Sequence, residues 1–251
     1  MKTKDRNIPD GRSVLVLVEG TEDLYTLSNY TGKHPDPAVT DAFKSIHFFP
    51  FAQAKVRERL GQNALVNALQ ALPTFPGFQN VKAVAVICDA DKVSPGGVSA
   101  KAATTAHIRS ALQSVGWQVP NSAGQWISNS SPGGPKWVGF LVVPPNRDSG
   151  CLETMLWEAV SNEVKDLKSC AEGLLRCAEP FYAKRFPERV KQPNHENWRD
   201  KVRIHALLAG SEEPQTHTTN ATLKGYWNFE AEGLAAVLAF LREGQQRSLE
   251  T

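Results

Sequence analysis

Asp89 and Asp91 stand two residues apart, just after the apolar run AVAVIC (Ala83–Cys88). In an extended segment, residues i and i+2 project to the same side, so the two carboxylates converge. Glu19 holds the same kind of position after VLVLV (Val14–Val18), with Gly20 beside it and Asp23 four residues on. A third acidic position is Glu153 in SGCLETML (Ser149–Leu156). Hard anionic oxygens gathered at strand ends suit Mg²⁺ or Mn²⁺, which prefer carboxylate and water ligands. Gly20, lacking a Cβ, lets backbone and substrate approach closely. Plainer readings exist for each acid. Asp is common in turns that follow strands, and Asp23 and Glu153 both suit the first turn of a helix, where negative charge is favourable. Two separate strand ends that together supply three acids favour the metal-dependent site.

The elements that must position these acids follow from periodicity. Val14–Val18 is a continuous β-branched and Leu run, as expected of a strand covered on both faces. Thr21 can cap a helix over Glu22–Tyr30. Ser45–Phe51 reads as a second strand with Pro50 at its end, and Ala52–Leu72 has helical spacing closed by Pro73. Val81–Cys88 is the strongest strand; an acidic turn and a loop with Pro95-Gly96-Gly97 follow it. A helix is expected over Ala100–Val115, ending at Gly116, and then strands Gln125–Ser128 and Trp137–Val143 around Ser130–Pro135. This β-α-β-α-β-α-β order implies an α/β fold with a mostly parallel sheet flanked by helices. Ligands gather beyond the carboxyl ends of such strands, where Glu19, Asp89 and Asp91 fall. After Pro145 the chain turns helical, over Leu152–Val160, Glu163–Cys177 and Trp198–Leu208, with Pro- and Asn-containing breaks between them. Leu234–Leu241 gives a short terminal helix, and Gly244–Thr251 is expected to fray. The reading divides the chain into an α/β core over 12–145 and a helical extension over 146–245.

The composition is that of a globular protein: 251 residues, 41% hydrophobic, 22% charged, net charge +2. A chain of this size needs no disulfide or structural metal to hold a core. Cys88, Cys151, Cys170 and Cys177 form no CxxC pair and are expected as core thiols in a reducing compartment. The N-terminal residues are polar, with no signal-peptide pattern, and the apolar stretches are too short for a spanning helix. A cytoplasmic protein with no membrane partner is the expectation. The near-zero net charge leaves room for a basic groove. Arg185, Arg189, Lys191, Arg199 and Arg203 make the second half locally basic, as a nucleic-acid surface would be, or a solvated face. Lys92, Lys101 and Arg109 could hold a phosphate backbone. Trp117, Trp126 and Trp137 could stack on bases, although buried or edge aromatics are the usual case.

VLVLVEGTEDLYTL together with AVAVICDADK resembles the Toprim domain of topoisomerases, primases and related nucleases. That family places a Glu after its first strand and a DxD after a later one. The chain is most similar to the Toprim half of overcoming-lysogenization-defect (OLD) nucleases and to small standalone Toprim proteins. Those carry ExxxD, met by Glu19 and Asp23, and a Gly-x-Leu-Glu segment, met by Gly150, Leu152 and Glu153. The resemblance covers roughly residues 12–160, and a lysine on a later helix is matched best by Lys201. It implies a Toprim-like fold with a C-terminal helical elaboration that contributes Glu153 and Lys201 to the site. It further implies a nuclease that uses one or two Mg²⁺ or Mn²⁺ ions. Glu19, Asp23, Asp89, Asp91 and Glu153 would be ligands, Glu19 also the general base, and Lys201 would offset charge on the phosphate. The implied partner is nucleic acid, DNA ahead of RNA. Two departures stand out. Val93 occupies the place of a third DxD acid, and no GxxxxGK[ST] phosphate loop occurs, so any ATP dependence needs a separate ATPase chain or other protein partner. A haloacid-dehalogenase-type phosphatase would carry DxD on its first strand, which is not the order here. The rival of a different class is a non-catalytic Toprim-like module that binds nucleic acid or a partner protein.

Overall fold

The computed structural model of the chain describes residues 8–32, 40–41, 43–51, 64–90, 98–191, 195–211 and 218–250. It divides into two compact units: Met1–Cys88 with Thr105–Val142 and Val237–Thr251, and Asp89–Thr104 with Val143–Ala236. The fold is α/β, built on a mostly parallel five-stranded sheet flanked by helices and ending in a C-terminal helix.

The run Val14–Val18 forms β1, buried at every residue, as the lack of any polar alternation requires. Thr21–Gly32 forms α1, Ile46–Pro50 β2, Ala64–Ala71 α2, Ala83–Asp89 β3 and Ala100–Ser114 α3. Gln125–Ser128 and Trp137–Val143 form β4 and β5. The sheet order is β2-β1-β3-β5-β4. β1 pairs in parallel with β2, Val18 opposite Pro50, and with β3, Val18 opposite Ile87. The carboxyl ends of these three strands therefore share one edge of the sheet. β4 and β5 are an antiparallel hairpin. Pro50 ends β2, as expected, and Phe51 N still donates to Val18 O. Of the expected helix Ala52–Leu72, the described part is α2, followed by a 3₁₀ turn over Leu72–Thr74 that contains Pro73; 52–63 lie outside the described residues.

Trp126 on β4 organises the far side of the first unit. Its ring stacks on Phe240 at 4.9 Å and its Nε1 donates to Phe240 O. Gly139, opposite Trp126 in the hairpin register, leaves room for the indole: a Cβ there would lie 2.6 Å from Trp126 Cδ2. A Cβ at Gly244 would also collide with the ring. Trp117 is buried too, and Trp137 lies beneath the Arg247 guanidinium, 4.7 Å from the ring centroid. Trp117 and Trp126 are thus buried structural groups, the usual case for such aromatics, while Trp137 is half-buried beneath Arg247. Arg109 and Lys101 are also committed to the fold, Arg109 to the carbonyls of Pro120 and Asn121 and Lys101 to that of Pro145. Lys92 lies outside the described residues.

In the second unit, α4 (Leu152–Glu158), α5 (Lys165–Arg185), α6 (Pro187–Val190), α7 (His195–Ala209) and α8 (Thr218–Leu223) succeed one another. α7 packs against both α4 and α5. Leu152, Met155 and Leu156 of α4, Ala171 and Leu175 of α5, and Ile204, Leu207 and Leu208 of α7 are buried. The expected helix Glu163–Cys177 begins slightly later and runs on to Arg185, through Pro180. An interior proline normally weakens a helix, but here the added turns are anchored. Tyr182 stacks on Trp198 of α7 with centroids 4.0 Å apart. Cys170 and Cys177 are exposed, contrary to the expected core thiols, because the buried face of α5 falls at Ala171 and Leu175. Cys88 and Cys151 are buried.

The last helix, α9 (Glu232–Leu249), continues through the segment expected to fray. Gly244 sits against Trp126, Ser248 shares a 2.9 Å hydrogen bond with Ser13, and Arg247 pairs with Glu243 and Glu250. These contacts hold the terminal turns in place.

Candidate metal centre

Asp89 is the last residue of β3 and is half-buried. The next residue, Ala90, donates its N–H to Val143 O (2.8 Å) and accepts from Gly150 N (3.0 Å). This short antiparallel bridge brings the segment before α4 alongside the end of β3. Gly150 has φ +139°, and a Cβ there would meet Pro144 Cδ at 2.8 Å, so the crossing requires glycine. Cys151 then caps α4: its N–H donates to Thr154 Oγ1 (3.1 Å), and its Sγ lies 3.6 Å from the same hydroxyl. Asp89 Oδ1 accepts from Leu152 N at 3.0 Å, which fixes the carboxylate against the first turn of α4. The partial positive charge of those N–H groups favours an anion there. Thr104, buried on α3, donates to the Asp89 carbonyl.

Glu153 is one residue further along α4, with a side chain that is mostly covered. Asp89, Cys151 and Glu153 each offer a ligand atom within 4.8 Å of the others. Two oxygens binding Mg²⁺ at about 2.1 Å can be no more than about 4.2 Å apart, so the two carboxylates are at bridging range or a fraction of an ångström beyond it. The thiol differs in kind. Burial, and then the nearby charges of Glu153 and Asp89, push the Cys151 pKa strongly upward. Cys151 is therefore a protonated cap in the metal-free chain, with the two carboxylates of Asp89 and Glu153 beside it.

Lys201 lies on α7 with its Nζ 4.0 Å from Glu153 Oε1, and its side chain is about half exposed. A buried latch sets the distance between these two helices. Thr154 Oγ1 donates to Asp200 Oδ2 (2.7 Å), Arg203 donates to Asp200 Oδ1 (2.7 Å), and Arg203 Nε donates to Glu172 Oε1 of α5 (2.9 Å). Thr154 follows Glu153, and Asp200 precedes Lys201. The latch therefore ties together the backbones that carry the two charged side chains. Thr154 and Asp200 were not singled out in the sequence, and Arg203 only as one of the locally basic residues. The one local signal was Asp200 and Arg203 at i, i+3 spacing beside Lys201.

The structure thus brings Asp89, Glu153 and Lys201 together and adds Cys151. Glu19 and Asp23 belong to the first unit. Glu19 directly follows β1 and is half-buried. Asp23 Oδ2 accepts from Gly20 N at 2.7 Å, reaching back across the start of α1. That bond gives Asp23 a capping role, with Gly20 and not Thr21 at the cap position. Asp91 and Val93 lie outside the described residues. The locally basic stretch is more neutral than its sequence suggests. Arg199 pairs with Glu196 and Glu179, Arg203 with Asp200 and Glu172, and Lys191 with Glu188. The Arg189 side chain lies outside the described set.

These features define an α/β protein with a carboxylate cluster at a strand end and a lysine supplied from a packed helix. The family model described as "Protein of unknown function (DUF3226)" matches residues 13–245, and the chain belongs to that family. No curated protein and no solved structure matches it. Among the described residues, no helix is long and apolar enough to cross a membrane.

Proposed function

We propose that the chain is a Toprim-like, divalent-metal-dependent nuclease. The observation that carries this reading is the meeting of Asp89, Glu153 and Lys201, three residues far apart in sequence, within one unit. When bound, one or two Mg²⁺ or Mn²⁺ ions would polarise a scissile phosphate and lower the pKa of a water molecule. Asp89 and Glu153 supply the hard oxygens, with Asp89 oriented by Leu152 N–H. Lys201, paired with Glu153 and half exposed, can turn its ammonium toward an incoming phosphate and offset its charge. The resemblance to Toprim adds Glu19 as a ligand that also takes a proton from the attacking water. It adds Asp23 and Asp91 as further ligands, nucleic acid as the substrate, DNA ahead of RNA, and a cytoplasmic setting with a separate ATPase or other protein partner.

The test is cleavage of supercoiled plasmid, single-stranded DNA and RNA by the purified chain at millimolar Mn²⁺ or Mg²⁺. Nicking that EDTA abolishes is expected, with Asp89→Asn and Glu153→Gln each lowering the rate by about 100-fold or more. If none of the three substrates is cut with either ion, the nuclease reading falls. Metal-independent binding without cleavage would favour the non-catalytic module instead.

A further inference from the structure

The face of α5 that does not pack on α7 carries an ordered apolar stripe. Leu174 is 54% exposed and Phe181 78% exposed, the latter among the most exposed large apolar side chains described. Cys170 and Cys177 are also exposed. The four residues are spaced 4-3-4, the spacing that places side chains along one seam of a helix meant to pack against another helix. A solvated face has no need of that order. The stripe lies off the buried line of Ala171 and Leu175, so it is not an extension of the α5–α7 contact.

Charge on the stripe's margin identifies the occupant. Asp166 near the start of α5 and Lys184 near its end are eighteen residues apart, which at 3.6 residues per turn is about five full turns. Both exposed side chains therefore project along the same flank of the stripe. A two-fold axis perpendicular to α5 and midway along the stripe brings that flank against itself with the helix direction reversed. Cys170 then faces Phe181 of the second copy, Leu174 faces Cys177, and Asp166 faces Lys184 at both ends. A parallel pairing would instead place both Asp166 residues at one end and both Lys184 residues at the other, out of reach of one another. The antiparallel arrangement also opposes the helix dipoles. The centres of the apolar spacing and of the end charges differ by about half a residue, under about 1 Å of rise, so the surface is complementary to itself, as an isologous interface requires.

We infer that α5 is a dimerisation helix, pairing antiparallel with α5 of a second copy of this chain about an axis near Leu174 and Cys177. The experiment is sedimentation velocity on the full chain from about 1 to 100 μM. A monomer–dimer equilibrium is expected. Leu174→Glu and Phe181→Glu should each shift it to monomer with unchanged circular dichroism, since both positions are exposed. Asp166→Lys and Lys184→Asp should each weaken the dimer, and the double exchange should restore it. A short bis-maleimide gives the direction of pairing. At about 1.5 Å rise per residue, the two Cys177 positions are offset axially by about 4.5 Å and the two Cys170 positions by about 16 Å. Cys177 should therefore cross-link to Cys177, and Cys170 should not cross-link to Cys170. A monomer at 100 μM, a dimer indifferent to these substitutions, or efficient Cys170–Cys170 linkage would overturn the inference. A monomer that loses single-stranded oligonucleotide binding on Phe181→Glu would also overturn it, and would reassign the stripe to nucleic acid.

Discussion

Replacing Asp89 by Asn removes one charge from the candidate metal centre while keeping its shape. In the parent, carboxylate oxygens of Asp89 and Glu153 lie within 4.8 Å of one another. Coulomb repulsion at that distance is about 0.9 kcal/mol at the dielectric constant of water and about 3.5 kcal/mol at an effective value of 20. Lys201, 4.0 Å from Glu153, reduces the upper figure, and Asp89 is only half-buried. The substitution relieves that repulsion. It also turns the charge-assisted bond from Leu152 N to Asp89 Oδ1 into a neutral one, at a cost of about 1 kcal/mol. Without metal, the two effects nearly cancel, and Asp89→Asn should unfold within about 1 kcal/mol of the parent. With metal, the two proteins separate. An ion bound about 100-fold above its Kd stabilises the native state by about 2.7 kcal/mol. For a chain of this size that corresponds to a Tm rise of about 5–10 °C. Differential scanning calorimetry with EDTA and with 5 mM Mn²⁺ measures both quantities. The parent should show the rise, and Asp89→Asn should lose most of it. An equal rise in both proteins would mean that the ion binds elsewhere, and the assignment of Asp89 would be refuted.

Other substitutions probe the supports of the site. Asp200→Ala leaves the Thr154 hydroxyl and the Arg203 guanidinium without their buried partner, and should destabilise the protein by about 2–4 kcal/mol in denaturant titration. Lys201→Met should leave stability within about 0.5 kcal/mol, because the Glu153 pair is partly exposed, yet lower cleavage rate more than metal-linked stabilisation. Gly244→Ala drives a methyl group into Trp126 and should cost about 1–3 kcal/mol, read as a fall in Tm. Iodoacetamide at pH 8 should modify Cys170 and Cys177 quickly in the native protein diluted to its monomeric form. It should spare Cys88 and Cys151, which are buried, with the Cys151 thiol held protonated.

The sheet was legible because its strands announce themselves. Val14–Val18 and Ala83–Cys88 are apolar at every position, short and rich in β-branched residues, as a strand buried on both faces is. The sequence placed Glu19 and Asp89 at strand ends for the same reason. Less local features escaped. The latch of Thr154, Asp200 and Arg203 joins segments 46 residues apart, and no periodicity signals such a pairing. Cys151 caps α4 locally through Thr154, but the charge of Asp89 reaches that thiol only once the chain is folded. Pro180 looked like a helix end because its local cost is real, but stacking of Tyr182 on Trp198 carries α5 past it. The basic residues of the second half showed a charge run without the glutamates that neutralise three of them.

The central claim is that Asp89 and Glu153 share a divalent ion. A crystal of the chain grown or soaked in Mn²⁺, measured for anomalous scattering at the manganese edge, tests it directly. The account predicts a peak about 2.0–2.4 Å from carboxylate oxygens of both Asp89 and Glu153, absent from the Asp89→Asn protein. A peak bound by neither residue, or none at 10 mM Mn²⁺, would contradict it.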